Sequence, residues 1–256
     1  MKNRKAQAGI VGVLALAGAG YGWQRYHTPE AFMERGQALQ MQGRFKDAVP
    51  QYCEAVRRSP ADPVSHSCYA DALMRFSNIM VHHPATVHSP GMTAEAWNGP
   101  SRGQLPQVIS EYSTAVQLDT QNVNYRVSLA NALDLAGDTQ AALVQWRKAL
   151  ALLPRTSSRV IGPHTQIDNA QALMGAYSCL AGDLAKTGAV AEADKDYQAA
   201  LYWEPTYDYV RLDYANFLNQ YGRRTEARVQ WQKIVVQNHG EVPEARAMLA
   251  KYPEQI

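Results

Sequence analysis

The stretch from Val123 to Thr156, VNYRVSLANALDLAGDTQAALVQWRKALALLPRT, decides how this chain folds. Its apolar residues recur three and four positions apart in two successive runs, which is the period of an amphipathic helix. Gly137 and Asp138 separate the runs, since glycine tolerates the left-handed backbone at a helix C-terminus. Pro154 ends the second run. The stretch therefore predicts a helical hairpin, which needs copies of itself on either side to bury its apolar faces.

Copies of this pattern cover most of the chain after Thr28, with a period of about 34 residues where they are intact. Each copy places aromatic, small, glycine, alanine and proline residues at similar offsets. In the first copy these residues are Phe32, Gly36, Leu39, Gly43, Ala48, Tyr52, Ala55 and Pro60. In the central copy they are Leu129, Ala130, Leu133, Gly137, Ala142, Trp146, Ala149 and Pro154. The later copies give Tyr177, Leu180, Ala181, Leu184, Gly188, Ala193, Tyr197, Ala200 and Pro205, and then Ala215, Leu218, Gly222, Ala227 and Trp231.

The offsets resemble those of the tetratricopeptide repeat (TPR) family. Three positions depart from the family pattern: Arg35 stands where leucine is usual, Arg126 in the aromatic place and His239 where proline is expected. The resemblance implies an all-α fold, a right-handed solenoid of about five helical hairpins. One hairpin is split, with its first helix at about 64–76 and its second at about 105–118.

The bulk composition excludes several function classes. The chain has 256 residues, of which 46% are hydrophobic and 19% charged, so it is long enough for one solenoid with a sizeable core. The net charge is +2, and no basic stripe with interleaved aromatic residues indicates nucleic-acid binding. Catalytic signatures such as a P-loop or HExxH do not occur. We therefore expect a protein that is not an enzyme and uses no cofactor.

The three cysteines form no CxxC motif, and their odd number argues against a complete disulfide framework. Cys53 and Cys68 fall on consecutive helices and would be able to pair in an oxidising compartment. The alternative, which the sequence favours, is that both are small thiols at the edge of the core.

The N-terminal segment, residues 1–27, is predicted to be a short cytoplasmic stub followed by a membrane anchor. Lys2, Arg4 and Lys5 precede an uncharged run from Ala8 to Trp23, and Tyr21, Trp23 and Tyr26 are the aromatic residues expected at a bilayer interface. The run is short against the ~20 residues of a membrane-spanning helix. The alternative is a signal peptide cleaved near 17–19. Either interpretation places the repeats outside the cytoplasm, most simply in a bacterial periplasm beside the inner membrane.

Gly18 and Gly22 form a GxxxG spacing within this segment. Such a spacing allows two membrane helices to approach closely. It predicts that the anchor packs against another helix, although a segment rich in glycine and alanine also produces the spacing by chance.

The main irregularity in the repeats is the segment 77–104, which inserts about 26 residues between the two helices of one repeat. It contains several prolines and glycines, so it is predicted to be mostly loop. Insertions in solenoids map to one face, which is often the binding face. Its apolar residues are therefore predicted to dock a partner: Val81, Val87, Met92 and Trp97. The alternative is a copper site, because the segment also contains three histidines near two methionines: His82, His83 and His88.

Two features are expected near the C-terminal half. Residues 157–167 interrupt the repeats, after which the next helix is expected to begin early, near Asp168, and to run long. Residues 241–256 are predicted to hold a cap helix and a tail, because the last apolar face of a solenoid would otherwise be exposed to water. The repeats themselves therefore occupy about 28–240.

In the TPR family the first helix of each hairpin lines a concave groove that binds peptides. Projecting the first-helix faces gives a set of candidate groove residues: Met33, Gln37, Gln40, Asp71, Arg75, Asn131, Asp134, Lys186, Tyr209, Leu212, Asn216 and Gln220. Asn131 and Asn216 occupy equivalent places, and a carboxamide both donates and accepts hydrogen bonds, as an extended peptide backbone requires. Only Arg75 and Lys186 among these places are basic, and several others carry Gln or Asn, so a Lys/Arg clamp for a C-terminal carboxylate is not indicated.

These patterns predict a non-catalytic, membrane-tethered TPR scaffold that binds a protein partner on the periplasmic side. The resemblance implies the role of an assembly factor or an accessory subunit of a membrane complex. The rival prediction is a periplasmic copper-handling protein that uses the histidine- and methionine-rich insertion.

Overall fold

The computed structural model describes residues 27–76, 103–154, 159–161, 166–238 and 240–253. These residues form eleven helices and two short strands. In chain order the elements are α1 (Pro29–Met41), α2 (Phe45–Arg58), α3 (Pro63–Phe76), α4 (Leu105–Leu118), α5 (Val123–Ala136), α6 (Thr139–Leu152), β1 (Arg159–Ile161), β2 (Gln166–Asp168), α7 (Asn169–Lys186), α8 (Val190–Trp203), α9 (Asp208–Gln220), α10 (Arg224–Gln237) and α11 (Val242–Lys251).

The helices divide between two compact units, the first of which contains α1 to α4. Its two hairpins are α1 with α2 and α3 with α4, and α2 also packs on α3. The chain enters α1 as the sequence predicts: Thr28 is the N-cap, its Oγ1 accepts a hydrogen bond from the Ala31 N–H at 3.2 Å, and Pro29 follows at the first helical position. The side chains of Ala48, Tyr52 and Ala55, all on α2, are completely buried.

The split repeat is a packed helix pair despite the long insertion between its halves. The His66 Nδ1 atom lies 2.6 Å from Oε2 of Glu111, Gln107 donates to the Tyr69 hydroxyl at 2.9 Å, and the Tyr112 hydroxyl donates to Oδ1 of Asp71 at 2.5 Å. Each of these bonds joins α3 to α4. The predicted pairing of the two helices is therefore confirmed.

The second unit contains three hairpins, which are α5 with α6, α7 with α8 and α9 with α10, followed by α11. Trp146 and Trp231, at the same place in two repeats, are 2% and 0% exposed, so both are core residues. Gly137 ends α5 with φ +86°, the left-handed geometry that its position between two helices predicts.

The cap helix α11 closes the second unit nearly where the sequence places it. It packs on α10, and Val242 and Ala245 are buried. The expectation that the helix after the interruption begins early and runs long is also confirmed, since α7 has 18 residues and starts at Asn169.

The predicted all-α fold class is confirmed, and the helices are accompanied by one short element that the sequence did not predict. β1 and β2 form a two-stranded antiparallel ribbon just before α7, with Val160 opposite Ile167. Each strand has three residues, which is too short for an alternating pattern to be recognised in the sequence. Outside this ribbon the described elements are helices, and the TPR-like repeat architecture that the offsets predict is confirmed.

Within the described ranges, no helix has both the length and the apolar character that crossing a bilayer requires. The predicted anchor at residues 1–27 lies almost wholly outside those ranges, as does its Gly18/Gly22 pair. The right-handedness of the solenoid stays a prediction from the resemblance.

Candidate protein-binding faces

In the first unit, two predicted groove residues are held in place by buried tyrosines. The Tyr52 hydroxyl donates to Oε1 of Gln40 at 3.0 Å, and the Tyr112 hydroxyl donates to Asp71. Each tyrosine lies on the second helix of a hairpin and each acceptor on the first helix. The tyrosine rings are buried in the core, and only their hydroxyls reach the two polar side chains. The hydroxyls therefore fix these side chains while no apolar ring surface is exposed to water.

The other candidates in the first unit are more open. Gln37 and Arg75 are exposed, and Met33 is partly buried. The Arg75 guanidinium carbon lies 5.6 Å from the centroid of the Phe45 ring, within the range of a cation–π contact. This face therefore combines fixed acceptors with an exposed amide side chain and a cation.

The second unit contains a charged network that joins three helices. Lys186 Nζ donates to Oδ1 of Asp134 at 2.5 Å and to Oδ1 of Asp183 at 3.0 Å, and Trp146 Nε1 donates to Oδ2 of Asp183 at 3.1 Å. Asp134 lies on α5, Trp146 on α6, and both Asp183 and Lys186 on α7. The network places the predicted groove residues Asp134 and Lys186 side by side.

Burial of Asp183 controls the electrostatics of this network. Burial raises the pKa of the Asp183 carboxyl to about 6, against the opposing hydrogen bond from Lys186. Burial alone would lower the pKa of Lys186, but its hydrogen bonds with Asp134 and Asp183 outweigh that effect and raise it. Lys186 therefore carries its charge at neutral pH, with its side chain 54% exposed.

A second polar row runs along α9. The Oδ1 atoms of Asn216 and Asn219 and the Oδ2 atom of Asp213 are shielded from solvent and have no hydrogen-bond partner among the described residues. Burial, followed by the charges of Glu244 and Glu241, raises the pKa of Asp213 to about 8. The three residues repeat every three positions, so they share one side of the helix.

The remaining candidates in this unit differ in accessibility. Gln220 is exposed, while Asn131 and Tyr209 are partly buried. Leu212 is only 1% exposed, so its prediction as a groove residue is wrong. A fixed repeat offset projects Leu212 outward, but α9 packs its side chain into the core. The structure does not test whether any of the other groove candidates binds a peptide.

The sequence did not single out the residues that organise these faces. Asp183 is the clearest example, because it belongs to no motif position and receives its hydrogen bond from a tryptophan on another hairpin. Tyr52 and Trp146 stood out only as repeat positions, and Tyr112 was not singled out. All three aromatic residues lie on the second helix of a repeat and bond to a polar residue on a first helix. That combination is the sequence signal that would have identified them.

The insertion candidates lie outside the described residues: Val81, Val87, Met92, Trp97, His82, His83 and His88. Within the described part of the chain no group of three His, Cys, Asp or Glu side chains is arranged to hold a metal ion. None of the three cysteines forms a disulfide, and their side chains are exposed at Cys53, half-buried at Cys68 and buried at Cys179.

Comparison with known proteins gives structural similarity without sequence relatives. No protein-family model matches the chain, and no curated protein matches its sequence. The crystal structure of MamA protein is similar over 90% of this chain and 98% of its own, with a TM-score of 0.60 and 17% identity. YrrB, described as a TPR protein with an unusual peptide-binding site, matches over 91% of this chain and 96% of its own, with a TM-score of 0.60 and 11% identity.

A thermophilic TPR protein of Thermus thermophilus matches 88% of this chain and 98% of its own, with a TM-score of 0.52 and 16% identity. Identities this low carry the fold and no more. The repeated hairpins, their buried aromatic residues and these structural neighbours together show that the chain has a TPR-like fold.

Proposed function

We propose that this protein is a non-catalytic scaffold that binds a protein partner through the first-helix faces of its hairpins. The observation that carries the proposal is the fixing of polar side chains on those faces, by Tyr52 on Gln40, by Tyr112 on Asp71 and by Asp183 on Lys186. Side chains held in one conformation lose less entropy when a partner binds, so such faces are preorganised for recognition.

The proposal extends to the partner's chemistry. Gln40 and Asp71 present hydrogen-bond acceptors, and Lys186 presents a charged donor. An extended peptide offers N–H and C=O groups in alternation, so the acceptors of the first unit and the donor of the second unit are each complementary to it. YrrB, a TPR protein with a peptide-binding site, supports the same class of ligand here.

We also propose that residues 1–27 tether the scaffold to the bacterial inner membrane, with the repeats in the periplasm. The basic residues before an uncharged run and the aromatic residues after it support this topology. In this position the protein serves as an assembly factor or an accessory subunit of a membrane complex, with Gly18 and Gly22 packing against a helix of that complex. The insertion at 77–104 adds a second contact through Val81, Val87, Met92 and Trp97.

Affinity purification of the tagged full chain from detergent-solubilised membranes tests the scaffold proposal. The variant combines Asn131→Ala, Asn216→Ala and Gln220→Ala, which remove first-helix polar groups of the second unit. The matched control is Lys148→Ala, an exposed residue on the second helix α6. We expect one or a few proteins to co-purify with the wild type and the control and to be depleted at least about tenfold with the variant. Equal recovery with the variant would contradict the proposed faces.

A further inference from the structure

A cavity of about 410 Å³ lies where the first half of α10 meets the end of α11. Its lining includes Arg224, Thr225, Arg228, Gln232, Lys251 and Tyr252, so it contains three cationic side chains and no acidic one. Its lining belongs to a second helix and to the cap with the residues just after it, and contains none of the predicted groove residues.

The cations around this cavity have no acidic partner in the described chain. Arg228 donates to the backbone oxygens of Leu249, at 3.3 Å, and of Tyr252. The Arg224 guanidinium carbon and Lys251 Nζ lie 5.6 Å and 5.3 Å from the centroid of the Tyr252 ring. Across the described ranges, no carboxylate oxygen comes within 4.0 Å of any of the three.

The phenol of Tyr252 responds to this positive surrounding. Hydrogen bonds from Asn219 and Lys251, followed by the charges of Lys251 and Arg224, lower its pKa. The contributions of Lys251 and Arg224 to this shift agree with the positive charge of the lining.

Elsewhere in the second unit, neighbouring second helices are joined by ion pairs. Arg147 on α6 pairs with Glu192 on α8 at 3.0 Å, and Asp194 on α8 pairs with Arg223, the N-cap residue of α10, at 2.9 Å. Acidic residues of α8 therefore already serve as partners for arginines on both sides of that helix.

We propose that this cavity binds an acidic segment of a partner protein, whose carboxylates pair with Arg224 and Lys251. The cationic lining, which contains no acidic side chain, and the ion pairs that acidic residues of α8 make with Arg147 and Arg223 carry the inference. Exposed ion pairs are individually weak, so the segment must present several carboxylates to bind. The site is independent of the first-helix faces and does not rest on the proposed function.

Fluorescence anisotropy with the full chain in detergent tests the site. The probe is a labelled synthetic peptide with the sequence of α8, VAEADKDYQAALYW, which contains the carboxylates of Glu192, Asp194 and Asp196. A second peptide replaces these three acids with their amides. We expect the acidic peptide to bind at least about tenfold more tightly than the amide peptide at low salt, and to lose this advantage as salt rises.

The protein variant combines Arg224→Gln and Lys251→Gln, because both residues contact the Tyr252 ring, whereas Arg228 also holds the end of α11. We expect it to bind the acidic peptide about tenfold more weakly. Arg147→Gln, an exposed arginine with its own acidic partner, is the matched control and should leave the affinity unchanged. Circular dichroism checks that the variants are folded.

Three results would overturn the inference: equal binding of the acidic and amide peptides, equal affinity of the Arg224/Lys251 variant and the wild type, or complete displacement by inorganic phosphate at constant ionic strength. The last would identify a small anion as the ligand. The variant with Asn131, Asn216 and Gln220 changed to alanine should bind the acidic peptide normally, so failure here is distinguishable from failure of the first-helix faces.

Discussion

At the scale of single residues, Gly36 is the position where the first hairpin leaves no room for a side chain. A Cβ added there would lie 2.7 Å from Cε1 of Tyr52, whose ring is completely buried. We expect Gly36→Ala to lower the free energy of unfolding by about 1–3 kcal/mol, because the ring must move out of its packed position. Chemical denaturation followed by circular dichroism measures the change.

Gly175 provides the matched control for this substitution. It lies inside α7, and a Cβ added there would meet no atom within 4 Å. Gly175→Ala should therefore stabilise the protein by about 0.5–1 kcal/mol, through the lower entropy of the unfolded chain and the better helix propensity of alanine. If both substitutions have the same sign, close packing against Tyr52 is not what requires a glycine at position 36.

The shielded carboxyl of Asp213 predicts a pH-dependent stability. Its pKa is about 8 in the folded protein against an ordinary value of 3.8, so the folded state binds more protons than the unfolded state between these values. Stability contributed by this group therefore falls as the pH rises from about 4 to about 8. Asp213→Asn removes the penalty, and we expect a gain on the order of 1–3 kcal/mol at pH 8 and little change at pH 4.

Thermal unfolding of the two proteins across this pH range measures the effect. Asp47→Asn is the control, since Asp47 is exposed and paired with Arg44 at 2.8 Å. It should show no gain that grows with pH. An Asp213→Asn variant that is less stable than the wild type at pH 8 would mean that the carboxylate is charged and satisfied in the folded protein.

The sequence predicts the burial of a single residue correctly where the repeat itself determines which helices surround that residue. Trp146, Trp231 and Tyr52 are buried because each repeat packs that position between helices. The same offsets misplace Leu212 and give no warning of Asp183, because the surroundings of those residues depend on a particular neighbour on another helix. A periodic pattern specifies which face is apolar, whereas it does not specify which polar side chain meets which aromatic N–H or O–H.

At the scale of elements, the split hairpin of α3 and α4 is held by bonds between its helices. The contacts that hold it are His66–Glu111, Tyr69–Gln107 and Asp71–Tyr112, and all three join α3 directly to α4. The two helices therefore pack on each other through contacts that do not involve the insertion. We expect that replacing residues 77–104 with Gly-Asp, the turn between α5 and α6, leaves the protein folded. Shortening the loop should raise stability by up to about 2 kcal/mol, because less entropy is lost on closing it.

Thermal unfolding of the shortened protein measures this prediction, with the wild-type chain as its reference. A marked loss of stability would show that the insertion itself contributes packing to the fold. The same protein also serves the scaffold proposal: if partner recovery falls while the fold is retained, the insertion is part of the binding surface.

The elements that the sequence predicts best are those with the strongest period. All ten hairpin helices and the cap follow from apolar spacing, glycine turns and proline, and the early start of α7 follows from the resumption of that spacing. The β1–β2 ribbon is missed because three residues per strand contain no recognisable alternation, and its formation depends on pairing between segments.

At the scale of the whole molecule, the fold is much better defined than the location of the protein. The three structural neighbours share 11–17% identity with this chain, so the similarity shows the arrangement of the hairpins but neither the binding partner nor the compartment. Membrane tethering therefore depends on the composition of residues 1–27.

If residues 1–27 form an anchor, the full chain should remain in the membrane fraction after carbonate washing, and a chain beginning at Thr28 should be released. A mature chain beginning at Gly20 would instead establish a cleaved signal peptide.

The side of the membrane can be tested with a native residue. Cys53 is exposed on α2, whereas Cys179 is buried and Cys68 half-buried, so a maleimide reagent should react first at Cys53. If the repeats lie in the periplasm, a membrane-impermeant maleimide added to spheroplasts after mild reduction should label the wild type within minutes and label Cys53→Ala far less. Labelling of the wild type only after the inner membrane is lysed would place the repeats in the cytoplasm and contradict the topology that the basic N-terminal residues predict, because those residues would then lie on the opposite side.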